Sequence, residues 1–263
     1  MDNPKFNIEK FDIKLDTERI AKRFVYILEV DSTNSFLLNS KEFDEDGTVV
    51  LAEEQKKGRG RLQREWLSAP DKNLTFSILL RNVDPKKINI INLGSSLAVS
   101  QAISNLYQLN TVLKWPNDVL IDGKKISGIL LESTSRNTEL DRVVIGVGIN
   151  VNQSNFPGRF LIEPTSIRRE FNSIVSRERL LSEVINTFEE VINIIETDPQ
   201  QVIDDWKDRC KMIGEKIKIS SDKESKFGIF EDIDQDGFLI LKSANNKSER
   251  IHFGDVTLNG QRL

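Results

Sequence analysis

Residues 53–66 read E-E-Q-K-K-G-R-G-R-L-Q-R-E-W. Five cations (Lys56, Lys57, Arg59, Arg61 and Arg64) fall within nine residues, with Gly58 and Gly60 between them. Like charges held about 4 Å apart at a protein surface repel by about 4 kcal/mol, so an ordered loop of this composition needs a compensating anion. Glycine also lets backbone N–H groups approach a ligand closely. Both features suit a phosphate-bearing ligand; the bland alternative is a solvated basic loop. The third glycine of a dinucleotide fingerprint is missing, and there is no G-K-[ST] of a P-loop.

Residues 114–132 read K-W-P-N-D-V-L-I-D-G-K-K-I-S-G-I-L-L-E. As an ordinary hairpin, this places Trp115 in the core and the turn at Asp122-Gly123. That reading leaves Lys125 unexplained. A lysine entering the apolar run Ile126–Leu131 is expected to be desolvated and to need an anionic partner. Asp118 lies across the same hairpin and can share a cleft with it. Arginines, a lysine and a carboxylate suit phosphoryl or nucleotidyl chemistry, which depends on positioning and charge stabilisation. In I-G-V-G-I-N (residues 145–150), the glycines fit either close strand packing or a ligand lying on bare backbone, with the Asn150 carboxamide beside it.

The elements that position these residues follow from periodicity and turn signals. Strands are predicted over 24–30, 48–52, 74–80, 126–131 and 143–150, and a helix after Asp31-Ser32-Thr33-Asn34, which has N-cap composition. Amphipathic helices are predicted from Pro85 to about Leu109, from Ser176 to Ile195, and from Asp198-Pro199 to Gly214. Residues 1–22 read as a loosely packed lead-in, and 152–168 as a long loop of functional type. After 213 the pattern changes to about five short strands with turns at Asp236-Gly237 and Asn245-Asn246. The expected architecture is α+β: a mixed sheet flanked by helices in residues 1–212, and a small β-barrel-like module in 213–263.

Composition excludes several chemistries. The 263 residues carry a net charge of −4, against the basic surplus expected of a duplex-DNA binder. One cysteine, Cys210, excludes an intrachain disulfide and a Cys-rich zinc site. One histidine, His252, excludes metal sites built on several histidines, and a catalytic triad would have to use it. His252, Cys210 and Trp206 are read as structural. No apolar run is long enough to span a membrane, and the N-terminus lacks a signal-peptide pattern, so a cytoplasmic location is expected.

Taken together, Asp31-Ser32-Thr33-Asn34, Ala52-Glu53-Glu54-Gln55 through Gly58-Arg59-Gly60-Arg61 to Arg64 and Trp66, Lys114-Trp115-Pro116-Asn117-Asp118, Lys125, Gly128 and Gly146-Val147-Gly148-Ile149-Asn150 resemble the biotin–protein ligase family in order and spacing. The resemblance covers about residues 24–260 and is to the form without an N-terminal helix-turn-helix, since the ~22 residues before the first strand are too few for one.

The resemblance implies a fold related to class II tRNA synthetases and lipoate ligases, with an SH3-like β domain at the C-terminus. It implies ATP and Mg2+ as co-reactants, biotin as substrate, biotinyl-5′-AMP as intermediate, and one lysine of a biotin carboxyl carrier domain as acceptor. No direct protein ligand to the metal is assigned. By position, Ser32, Thr33, Asn34, Gln55, Gly58, Gly128 and Gly146 would form the biotin pocket, with Arg59, Gly60 and Arg61 in a loop closing over it. Lys125 would hold carboxylate and phosphate oxygens. Asp118 would orient, and could deprotonate, the incoming amine. Arg61, Arg64, Asp118, Lys125 and Asn150 would serve the nucleotide. The loop departs from the family at Leu62 and Gln63, and with no tryptophan in 152–168, Phe156 or Phe160 is left to stack on adenine. Neither DNA nor membrane is expected as a partner, and a homodimer is left open. The alternatives are a lipoate or octanoate ligase on the same fold, differing in the acyl pocket, or a non-catalytic biotin-sensing module.

Overall fold

The computed structural model describes residues 5–136, 139–221 and 224–258. Phe24–Val30 (β1), Val49–Gln55 (β2), Leu74–Leu80 (β3), Val112–Lys114 (β4), Asp118–Ile121 (β5), Lys124–Arg136 (β6) and Glu139–Ile149 (β7) form one sheet in the order β1-β2-β3-β7-β6-β5-β4. The β1–β2 pair is parallel and the others are antiparallel, which makes the sheet mixed as expected.

Strand alternation divides the sheet's two faces. Val49, Leu51, Phe76, Ile78, Ile145, Val147 and Ile149 belong to the main core. The helices Ile88–Tyr107 (α3), Arg177–Thr197 (α5) and Pro199–Asp208 (α6) supply its other side, with Leu97, Leu181, Phe188 and Trp206 buried. Each such side chain is worth about 1.5–3 kcal/mol when fully buried. On the opposite face Val50, Leu79 and Val144 pack with Leu37 of the short helix Thr33–Asn39 (α2). That second core covers one end of the face. The rest of the face carries Ser77, Gly146 and Gly148, which leave room for a cleft.

Two expectations are corrected. Residues 5–22 are not loosely packed: Ile8–Asp12 forms a helix (α1), and Phe6, Phe11 and Ile20 are buried in the main core. Their apolar residues are sparse and irregular, and the surface they pack on comes from α5, some 170 residues later; Glu189 of α5 accepts backbone N–H bonds from Glu18, Arg19 and Ile20. The last helix of the larger part ends at Asp208 rather than Gly214, because Cys210 N turns back to Lys207 O and Arg209 O accepts from Leu113 N.

Beyond one more short helix, Ile167–Phe171 (α4), the remaining strands are Lys216–Ser220 (β8), Ser225–Ile233 (β9), Leu239–Lys242 (β10), Ser248–Ile251 (β11) and Asp255–Leu258 (β12). They form a separate antiparallel sheet in the order β11-β10-β9-β8-β12. This is the small β module expected after 213, where residues 259–263 lie outside the described residues.

Candidate active site

A cleft of about 920 Å³ opens on the glycine-bearing face of the large sheet. Its floor follows from the sequence I-G-V-G-I-N. Residues 145, 147 and 149 point into the core, so 146 and 148 must point into the cleft. A Cβ at Gly146 would fall on the Asn34 side-chain amide, and one at Gly148 on the Trp66 indole. A Cβ at Gly128 would come within 3.0 Å of Lys125 Nζ. These three glycines keep the floor flat enough for the side chains that cross it.

At one end, the start of α2 presents a polar pocket. Ser32 is the helix N-cap, its hydroxyl accepting from Ser35 N. Gln55 Oε1 accepts from Thr33 N at 2.8 Å and Thr33 Oγ1 at 3.0 Å. Ser77 Oγ donates to Asn34 Oδ1 at 2.6 Å. Ser32, Thr33, Asn34 and Gln55 therefore meet, as the sequence implied.

At the other end lies a charged cluster. Lys125 Nζ is 2.5 Å from Asp118 Oδ1, and Lys114 Nζ is 3.7 Å from Asp118 Oδ2. Burial opposes ionisation of Asp118, but Lys125 and Lys114 outweigh it and hold its carboxyl below the usual carboxylate range. Burial pushes the Lys114 ammonium down from its ordinary value, with Asp118 opposing. The desolvated lysine is thus Lys114, buried on β4; Lys125 is half-buried at the cleft wall. The sequence placed Lys114 in the K-W-P-N-D block but gave it no site role, because its strand has only three residues and shows no periodicity.

Carboxylates of the chain itself share in neutralising the basic loop. Lys56 pairs with Glu29 at 3.0 Å, Lys57 with Asp31 at 2.8 Å and Arg59 with Glu132 at 3.2 Å. Arg61 reaches the C-terminal sheet, 3.4 Å from Asp255 Oδ1, and donates to Gly254 O at 3.0 Å. Arg64 pairs with the same Asp255 carboxylate. Burial pushes the Arg61 guanidinium down, against the pull of Asp255.

Gly58 does not line the cleft: it lies flat against the Trp66 carbonyl, and its own carbonyl accepts from Trp66 N at 2.9 Å, closing the loop's base. Gly60 does line the cleft and has room for a Cβ. Leu62 is exposed, with φ +53°; the Gln63 side chain lies outside the described residues.

The loop 152–166 forms the remaining wall, tied to β6 by Lys125 N→Glu163 O and Thr165 N→Lys125 O at 2.8 and 2.9 Å. It brings Phe156 and Phe160 to the cleft that Asn150 also lines. Trp66, absent from the expected site, is in its middle. Its Nε1 is buried without a partner among the described residues, and Lys125 Nζ sits 5.7 Å over its ring. An orphaned indole donor, four cations (Arg61, Arg64, Lys114, Lys125) and a glycine floor fit an anionic ligand with flat rings. Among the described residues no group of three His, Cys, Asp or Glu side chains could hold a metal ion. Trp206 is structural as expected, fully buried with Nε1 donating to Ser96 Oγ at 3.0 Å.

Comparison with known proteins agrees with this architecture. Residues 26–150 match the model of the biotin/lipoate A/B protein ligase family, and residues 212–258 match that of the biotin protein ligase C-terminal domain. The chain is 32% identical to the biotin–[acetyl-CoA-carboxylase] ligase of Paracoccus denitrificans, covering 81% of this chain and 91% of that one. It is 30% identical to the bifunctional ligase/repressor BirA of Bacillus subtilis, covering 93% of this chain and 76% of that protein. Among solved structures, it resembles the biotin protein ligase from Aquifex aeolicus in complex with biotin and ATP: TM-score 0.78, 28% identity, 90% of this chain and 99% of that one.

Proposed function

The chain belongs to the biotin/lipoate A/B protein ligase family and is a biotin–protein ligase, and we propose that both of its half-reactions run in this one cleft. Biotin is activated with MgATP: a carboxylate oxygen attacks the α-phosphorus, biotinyl-5′-AMP forms and pyrophosphate leaves. A carrier-domain lysine amine then attacks the acyl carbon, releasing AMP.

Ser32, Thr33, Asn34 and Gln55 take the ureido head group, whose buried polar atoms need matched partners. Lys125 stabilises charge on the carboxylate and α-phosphate oxygens. Arg61, Arg64 and Asn150 serve the nucleotide, with Lys114 added to the cations facing it. Mg2+ binds chiefly through substrate phosphates with one or two carboxylates, and Glu65, Asp118 and Asp255 are the carboxylates that line the cleft. Asp118, held below the usual carboxylate range between two lysines, suits orientation of the incoming neutral lysine amine more than proton abstraction from it. Phe156 and Phe160 are the ring platforms offered to adenine. We assign catalysis to residues 1–212 and the supporting β module to 213–263, in a cytoplasmic enzyme that needs neither DNA nor membrane.

The observation that carries this reading is the polar head-group pocket and the Lys125–Asp118 pair on one glycine floor. The test is the intact mass of a biotin carboxyl carrier domain after incubation with the protein, biotin and MgATP. One biotinyl adduct is expected, lost when the acceptor lysine is replaced by arginine. Several adducts, or none, would contradict specific transfer.

A further inference from the structure

We propose that Glu132 is a positioning residue that couples the head-group pocket to the closing loop. The proposal rests on the ligase reading and adds to it a residue that does not itself line the cleft.

Glu132 lies on β6, with its side chain 30% exposed. Its carboxylate meets one group from each side of the site. Asn34 Nδ2 donates to Glu132 Oε2 at 2.8 Å, and Arg59 Nη2 donates to Oε1 at 3.2 Å. The same Asn34 nitrogen also donates to Leu130 O at 3.0 Å, while Asn34 Oδ1 accepts from Ser77. Both amide hydrogens and one lone pair are thereby committed. Asn34 cannot turn its amide over without losing three bonds, so one oxygen lone pair remains for a ligand N–H. Glu132 holds the Nδ2 end of that arrangement.

Arg59 has its other contact on α2, donating to Ser35 Oγ at 2.9 Å. Arg59 is half-buried and lines the cleft in the loop 58–66. One carboxylate thus fixes the acceptor at the pocket's floor and anchors the first arginine of the loop. A hydrogen bond to an ionised group is stronger than a neutral one, which makes this a firm tether. Displacing Asn34 disturbs Glu132, and through it Arg59. The contacts join residues 73 and 98 positions apart, so no local sequence pattern announces them.

The two sides separate by substitution. Glu132→Gln keeps an oxygen for Asn34 but removes the charge that holds Arg59. Glu132→Ala removes both contacts. The measurements are the biotin KM for pyrophosphate release and the fraction of adenylate that escapes, read as biotin on a bystander protein lacking the carrier sequence. Glu132→Ala is expected to raise the biotin KM about tenfold and to increase bystander labelling, with the ATP KM changed less than about twofold. Glu132→Gln is expected to increase labelling with the biotin KM near that of wild type. The double variant Glu132→Ala/Arg59→Ala is expected to label no more than Arg59→Ala alone. A purely structural role would lower the melting temperature without splitting KM from labelling. Wild-type KM and wild-type labelling in both single variants would overturn the coupling, as would labelling in the double variant equal to the product of the single effects. In the unsubstituted protein the same assay reports the parent reading: absence of biotin-dependent release there would overturn the ligase assignment.

Discussion

The Lys125 ammonium and the Asp118 carboxylate, brought together across a tight hairpin, stand 2.5 Å apart at the edge of the glycine floor. The pair leaves Lys125 half-buried and facing the cleft, while Asp118 keeps a second cation in Lys114. A lysine in this position can turn from its own carboxylate to charge developing on a substrate. Lys125→Ala is therefore expected to lower pyrophosphate release at least about 100-fold, the usual cost of removing a group aimed at transition-state charge. The melting temperature should fall by no more than about 4 °C, since Lys114 still neutralises Asp118. Release at the wild-type rate would remove Lys125 from the chemistry.

Arg61 reaches from the basic loop to Gly254 and Asp255 in the second sheet, so the loop is fastened at its far side. Arg61→Gly removes that fastening and one of the cations lining the cleft. The expected outcome is escape of biotinyl-AMP and biotin on bystander lysines, seen by blotting a mixture of unrelated proteins. Labelling confined to the carrier domain would contradict loop closure.

Gly146→Ala should act on biotin alone. Its Cβ would displace the Asn34 amide from the pocket floor. Calorimetric titration is expected to show biotin affinity reduced about tenfold or more, with nucleotide affinity unchanged, because a buried ligand amide would lose its partner. Equal losses for both ligands would indicate general distortion of the sheet.

How much of this was legible beforehand depended on distance along the chain. The Ser32 cap, the hairpin joining Asp118 to Lys125 and the G-x-G floor are local, and strand and helix periodicity sufficed to place them. Lys114, Ser77, Glu132 and Asp255 were not legible as site residues. Ser77, Glu132 and Asp255 act through partners far away in sequence, 194 positions in the case of Arg61 and Asp255, whereas Lys114 stands on a three-residue strand without periodicity. The loop's own partners were hidden for the same reason. Repulsion within residues 56–64 was visible, but the carboxylates that relieve it come from other strands. Packing of Phe6 and Phe11 was hidden likewise, since α5 lies at the other end of the large unit.

Acid should unfold the protein through carboxylates that hold the N-terminal segment. Burial pushes the Glu189 carboxyl up, but N–H donors from Ile20, Glu18 and Arg19 outweigh it and leave it below the usual range. In Glu53, bonds from Arg177 and Tyr26 outweigh burial in the same way. Groups with lowered native values stabilise above their unfolded value, and that contribution is lost as pH falls through the native value. Stability against urea is expected to be level from neutral pH to about 5 and to drop below about 4.5, where unfolded carboxylates protonate. Glu189→Gln should cost about 1.5–3 kcal/mol at pH 7 and converge on wild type in acid. Parallel curves across the whole range would refute the assignment.

The most direct test of the whole account is pyrophosphate release from MgATP with biotin, lipoate or octanoate as the acid. Release with biotin alone is the predicted result, because the proposal seats a ureido group in the polar pocket of Ser32, Thr33, Asn34 and Gln55. Release driven by lipoate or octanoate and not by biotin would contradict the account at its centre.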